Sequence, residues 1–341
     1  MSTTLPLGTV NGLLRWAPLG FFILLVGLFS TLSPRFLGIE NLIAILVQSS
    51  WLVVVAIGMN FALLTAGVDL SVGAVMYVVA VIIGMDLTQS PVWVCILCAL
   101  STGALFGWVN AVFIVRLGVP AFLATLATTF VGRGLGLFLS STQIAYAGVP
   151  VATLGRTALL GISCPLWMMG AAVAIAWMVL NRTPMGPYIR SIGANPESAR
   201  RAGVPTKAVT YGVYVLCGAF AGLGGFVSLS LTSAASGAFG QGSEFLAIAA
   251  AVLGGTSLFG GRGNLWAPVI GALLITTVQN GLVMIDANPY AYPVITGTVI
   301  FIAALFDSIR SRLQTRMERR LIRPQGQEAI ALSLQSPRVR G

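Results

Sequence analysis

The sequence predicts an all-α, polytopic membrane protein of about ten transmembrane helices. Three observations carry that expectation. Of 341 residues, 57% are hydrophobic and 8% charged, whereas a soluble domain carries about 25% charge. The mean hydropathy is +0.92. The apolar residues fall into long runs separated by short polar or glycine-rich stretches, and the 40 glycines suit close helix packing and broken helices in lipid.

Taken in order, residues 1–16 read as a polar cytoplasmic N-terminus. The first apolar run, Ala17 to Ser33, has no small-residue cleavage site behind it and is read as a retained span rather than a signal peptide. Further spans are expected at Asn41–Ala66, Ser71–Leu87, Val92–Val115 and Pro120–Ser140. A polar connector, 141–161, precedes a sixth span at Ile162–Leu180. Beyond the basic stretch 182–207, spans follow at about Ala208–Leu231, Glu244–Phe259, Leu265–Met284 and Tyr290–Phe306. Residues 17–308 thus read as a single transmembrane domain with a cytoplasmic loop at 182–207, and 309–341 as a basic cytoplasmic tail. With both termini inside, 16 of the 19 basic residues fall on the cytoplasmic side, as the positive-inside rule requires. The net charge of +10 is therefore read as membrane topology rather than nucleic-acid binding. The arginines of the tail suit a solvated anchor beside anionic lipid.

Composition excludes several chemistries. Without histidine there is no HExxH zinc site and no Ser-His-Asp triad. The single lysine, Lys207, follows Thr206 and has no Gly-Lys-Ser/Thr setting, so the chain holds no standard P-loop. Cys95 and Cys98 form a C-x-x-C in a fully apolar stretch, where a redox pair would want a polar, electropositive one.

Three features interrupt the apolar chain. In AGVDLSVGA, Ala66 to Ala74, Asp69 lies near membrane depth, where a carboxylate is costly. It either stands on a transport path or caps the following helix, and the cap is the reading its neighbours favour. In LGGTSLFGGRGN, Leu253 to Asn264, five glycines suit a tight reversal between packed helices better than a phosphate loop. In the loop 182–207, Asn195 reads as an N-cap, Pro196 as a first-turn residue and Glu197 as a partner of the helix dipole. Gly203 reads as the C-terminal stop before Pro205. A short cytoplasmic helix results, with an exposed face fit for docking.

These motifs, with PAFLATLATTFVGRGLGLFLS at Pro120 to Ser140, occur in this order in the permease subunits of bacterial ABC importers, and the chain most resembles the ribose, xylose and arabinose type. The broader family includes branched-chain amino-acid and nucleoside permeases. The resemblance covers roughly residues 15 to 310. It implies a subunit of the bacterial inner membrane that pairs with a second permease, as homodimer or heterodimer, around one translocation path for a monosaccharide. It implies a cytoplasmic ATPase with tandem nucleotide-binding domains below and a periplasmic sugar-binding protein above. No cofactor belongs to this chain; ATP and Mg sit on the ATPase. The resemblance makes the loop helix the coupling helix, assigning ATPase coupling to Gly193, Asn195, Pro196, Glu197, Ala199, Arg200, Ala202 and Gly203. It also implies an inverted repeat, spans two to five matching seven to ten. Path residues are sought among polar and aromatic side chains in or beside apolar runs: Asn60, Asp69, Trp108, Asn110, Phe122, Gln279 and Asn280. The alternative is a permease for another small solute, such as a nucleoside or amino acid.

Overall fold

A computed structural model describes residues 17–298, 301, 302 and 305. The N-terminus 1–16, the tail 309–341 and residues 299, 300, 303, 304 and 306 of the last expected span lie outside the described residues. Long apolar runs become helices because lipid offers the backbone no partner, and only a helix satisfies its own N–H and C=O groups. In chain order these are α1 (Ala17–Leu32), α2 (Ile39–Leu64), α3 (Val72–Met85), α4 (Val92–Val115) and α5 (Ala121–Ser140). A connector follows with strand β1 (Ala145–Tyr146), helix α6 (Val149–Leu154) and the hairpin strands β2 (Ala158–Leu159) and β3 (Ile162–Ser163). Then come α7 (Cys164–Arg182), α8 (Met185–Ala194), α9 (Pro196–Arg201), α10 (Thr206–Thr232), β4 (Ala234–Ala235), α11 (Ser243–Leu253) and α12 (Trp266–Met284). A 3-10 turn, Pro289–Ala291, leads into helical residues 292–298.

Among the described residues six helices are long and apolar enough to cross a membrane: α2, α4, α5, α7, α10 and α12. The chain is a multi-pass membrane protein. Two expected spans are much shorter than a bilayer. Helix α3 has 14 residues and α11 has 11; at about 1.5 Å per residue neither reaches across about 30 Å of hydrocarbon. Expected at Glu244–Phe259, α11 stops at Leu253 because Gly254 and Gly255 end it, Gly255 at φ +105°. The rest of that run forms the glycine turn 254–264.

The stretch 182–207 also carries more structure than a single short helix. Helix α8 is amphipathic, with Gly186, Ile189, Ile192 and Gly193 buried. That spacing follows the helical repeat and fastens the loop to the body.

At the centre, α10 packs on α4, α2 and α3. Both α4 and α10 carry a G-x-x-x-G pattern, Gly103 with Gly107 and Gly218 with Gly222. A β-carbon on Gly103 would strike the Gly218 carbonyl, one on Gly218 the Gly103 carbonyl, and one on Gly107 the Tyr214 carbonyl. Backbone therefore meets backbone, and van der Waals contact holds the pair where lipid offers no hydrophobic driving force.

Candidate functional site: an amide-lined cavity and a cytoplasmic helix

Four elements and a crossover segment line an open cavity of about 560 Å³. Helix α2 supplies Gln48, the crossover 233–242 supplies Gln241 and Gly242, and α11 supplies Leu246. Helix α12 contributes Gln279, Asn280 and Val283, and the helical stretch from 292 contributes Tyr292 and Thr296. Side-chain amides on an otherwise apolar wall offer both donors and acceptors. That chemistry fits a neutral, hydroxyl-rich solute and provides no fixed charge for an ion.

Two of the seven residues singled out from the sequence meet here, Gln279 and Asn280. Asn280 is committed to a reciprocal amide pair with Asn41, each Nδ2 donating to the other's Oδ1 at 3.0 Å. Asn41 also donates to the Phe36 carbonyl at 2.9 Å. Gln279 makes no such pair among the described residues. Gln48, Gln241 and Thr296 were missed. Their signal was present, since each is a polar residue in or next to an apolar run.

The structure does not bring the other five to the cavity. Asn60 is buried in α2, where its Oδ1 accepts from Thr256 Oγ1 at 2.7 Å and its Nδ2 donates to the Asn264 carbonyl at 3.2 Å. It ties α2 to the glycine turn. Asp69 is wholly buried. Its Oδ1 accepts from the Ser71 amide at 2.9 Å and the Ser71 hydroxyl at 2.6 Å, just ahead of α3. Asn110 donates to both Asp69 oxygens, at 3.3 and 3.4 Å, and to Ser71 Oγ at 2.9 Å. Thr128 Oγ1 closes the chain by donating to Asn110 Oδ1 at 2.6 Å. The network joins the break before α3 to α4 and α5, and satisfies a carboxylate that apolar surroundings would otherwise penalise. Trp108 and Phe122 stand on the outer faces of α4 and α5, each at least half exposed.

The second feature is α9. The Asn195 side chain accepts from the Ser198 amide at 2.9 Å, Pro196 opens the first turn, and Glu197 pairs with Arg201 at 2.6 Å. Gly203 follows at φ +82°, a conformation that favours glycine. Of the residues singled out for docking, Ala199 and Gly193 are buried, while Asn195, Pro196, Glu197, Arg200, Ala202 and Gly203 are exposed. Gly193 lies against the Leu64 carbonyl and the Gly261 amide, where a β-carbon would not fit. Gly261 itself donates to Leu64 O at 3.0 Å. The last turn of α8, which leads directly into α9, therefore meets the end of α2 and the glycine turn at one junction.

A family model described as the permease component of the branched-chain amino acid transport system matches residues 41–304. The Ribose import permease protein RbsC of Escherichia coli K12 is 36% identical over 303 residues, covering 84% of this chain and 91% of that protein. The D-allose transport system permease protein AlsC of the same strain is 34% identical, over 89% of this chain and 95% of its own length. The Galactose/methyl galactoside import permease protein MglC of Haemophilus influenzae is 31% identical, over 85% and 93%. No solved structure matches the chain. With the family model covering most of the sequence and three sugar permeases aligned along nearly their whole length, the chain belongs to the branched-chain amino acid transport system permease family.

Proposed function

We propose that this protein is the membrane subunit of a binding-protein-dependent ABC importer for a monosaccharide, and that the amide-lined cavity forms part of the sugar path. The observation that carries the reading is the conjunction of relatives named for ribose, allose and galactose with a cavity whose polar groups are amides and hydroxyls. A path that must release its cargo wants a few hydrogen-bonding groups rather than a tight pocket. Three glutamines on separate elements supply that.

The reading extends to the machine. The chain is a permease subunit and not an enzyme, so energy comes from an ATPase bearing ATP and Mg, with α9 as the docking piece. Motion imposed on α9 would pass through Gly193 to the end of α2 and the glycine turn, a rigid connection onto a long helix. A second permease copy or a homologous chain completes the path, a periplasmic sugar-binding protein delivers the cargo, and the whole sits in the bacterial inner membrane.

Ten spans with both termini inside fit the placement of the loops. The basic loop 182–207 and the glycine turn with Arg262 touch each other, so they share one face. An inverted repeat is supported by element lengths. From α2 the helices run 26, 14 and 24 residues, and from α10 they run 27, 11 and 19. The packing is reciprocal as well: α10 lies on α3 and α4, and α2 lies on α11 and α12. On this reading one permease domain spans 17–308.

Reconstitution with a partner ATPase and binding protein tests the function. The expected result is ATP-dependent accumulation of ribose, allose or galactose in proteoliposomes and no ATP hydrolysis by the purified chain alone. Accumulation of an amino acid or nucleoside instead, or ATP turnover without the partner, would overturn it.

A further inference from the structure

Arg133 belongs neither to the cavity wall nor to α9, yet it is a charged residue well inside an apolar helix, α5. Such a residue is expected to face protein and to hold something. Its guanidinium Nη1 donates to the Phe239 carbonyl at 2.6 Å. The same group lies over the Tyr77 ring, 5.6 Å from its centre, and Tyr77 Oη is 3.2 Å from Ser140 Oγ. On the other side is Glu244, in the first turn of α11. Arg133 and Glu244 converge on Gly73, in the first turn of α3. A β-carbon there would collide with the Gly240 carbonyl and the Glu244 carboxylate and come within 3.3 Å of an Arg133 nitrogen. Glu244 Oε2 is buried and accepts no hydrogen bond among the described residues.

The starts of both short helices therefore meet at Gly73, with one cation and one anion beside them. The crossover is kinked by positive φ at Ser233, just before β4, and at Gly240 and Gly242 between β4 and α11. Broken backbone at membrane depth must find donors elsewhere. Among the described residues, the Arg133 bond to Phe239 O is the one side-chain hydrogen bond that another helix makes to residues 236–242. Two residues after Phe239, Gln241 enters the cavity wall.

We propose that Arg133 and Glu244 are positioning residues for transport: they latch the 233–242 crossover between α5 and α11 and so set where Gln241 stands in the cavity. The latch has two acceptors for one guanidinium, the Phe239 carbonyl that it holds and the Glu244 carboxylate that faces it. A shift of α11 relative to α5 would hand the guanidinium from one to the other and carry Gln241 with the crossover. Relevance to transport rests on the cavity being on the sugar path; the latch itself does not.

The test reads the crossover directly. In the full-length chain, assembled with its partners in proteoliposomes, Cys95, Cys98, Cys164 and Cys217 are replaced by alanine and Gln241 by cysteine. The rate of labelling by a water-soluble methanethiosulfonate is then followed. Arg133→Met is expected to change that rate about tenfold, the order expected for one lost charged hydrogen bond. Arg133→Lys, which still donates to Phe239 O, should return it toward the parent value. The near-isosteric Glu244→Gln should shift it less. An unchanged rate in a folded, assembled Arg133→Met protein overturns the latch. Should Arg133→Met fail to assemble, an unchanged rate in Glu244→Gln overturns it instead. Sugar uptake by Gln241→Leu separates the two readings. Unimpaired uptake removes the cavity from the path and leaves a positive labelling result, and with it the latch, in place.

Discussion

At the residue scale, the polar side chains buried in this apolar chain divide into those used up by one another and those left to face a cavity. Asp69, Ser71, Asn110 and Thr128 satisfy each other completely enough that the carboxylate needs no substrate or ion. Asn110→Leu removes the donor to both Asp69 oxygens and is expected to cost about 1–3 kcal/mol or more, the penalty of an unsatisfied buried charge. Thr128→Val should cost less, because the amide bonds to Asp69 survive. Thermal unfolding in detergent checks the order, and equal stabilities would deny the network its structural part. In the sequence these residues were visible as polar interruptions, but their roles were not. Asn60 meets Thr256 and Asn264, partners some two hundred positions away, and a single chain gives no sign of that distance being closed. Trp108 and Phe122 lie away from the cavity, on outer faces, for a similar reason: helix facing depends on which neighbour arrives, and the apolar patterns of α4 and α5 do not reveal it.

At the element scale, α2, α4, α5, α10 and α12 were legible almost to the residue, since long apolar runs have one stable form in lipid. The ends of α9 were legible too, through Asn195, Pro196 and Gly203, because capping is local chemistry. The early stop of α11 and the existence of α8 were not. The expected span Glu244–Phe259 overlapped the reversal expected at Leu253–Asn264, and the glycines take over at 254, while a run rich in polar residues concealed an amphipathic helix with a narrow buried face. Packing of α4 on α10 rests on bare backbone contact, so Gly107→Leu or Gly218→Leu should abolish the monodisperse protein, well beyond the roughly 1–3 kcal/mol of ordinary overpacking. Gly134→Ala, where a β-carbon meets nothing within 4 Å, should be neutral or slightly stabilising. Size-exclusion profiles distinguish the two outcomes. For α9, Glu197→Arg breaks the pair with Arg201 and opposes the helix dipole, and Gly203→Trp forces a bulky residue into φ +82°. Both residues are exposed, so the folded membrane body should persist while sugar uptake and ATPase retention in a pull-down fall. Normal uptake and retention in both variants would reduce α9 to a connector.

At the scale of the whole molecule, the cavity and the junction at Gly193 lie at different places along α2. One end of α2, at Leu64, touches the last turn of α8, just before α9, and the glycine turn; further along, Gln48 enters the cavity. Helix α2 packs on α11 and α12, and α10 packs on α3 and α4, so each long helix bears on a short one distant in sequence. That arrangement suits alternating access around a fixed path. The most direct measurement is ATP-driven sugar uptake by the assembled importer carrying Gln48→Leu together with Gln279→Leu, compared with the parent complex at equal assembly. Two lost amide partners at about 1 kcal/mol each should lower uptake roughly tenfold or more while the complex remains intact. Uptake at the parental rate through a cavity stripped of both glutamines would contradict the account.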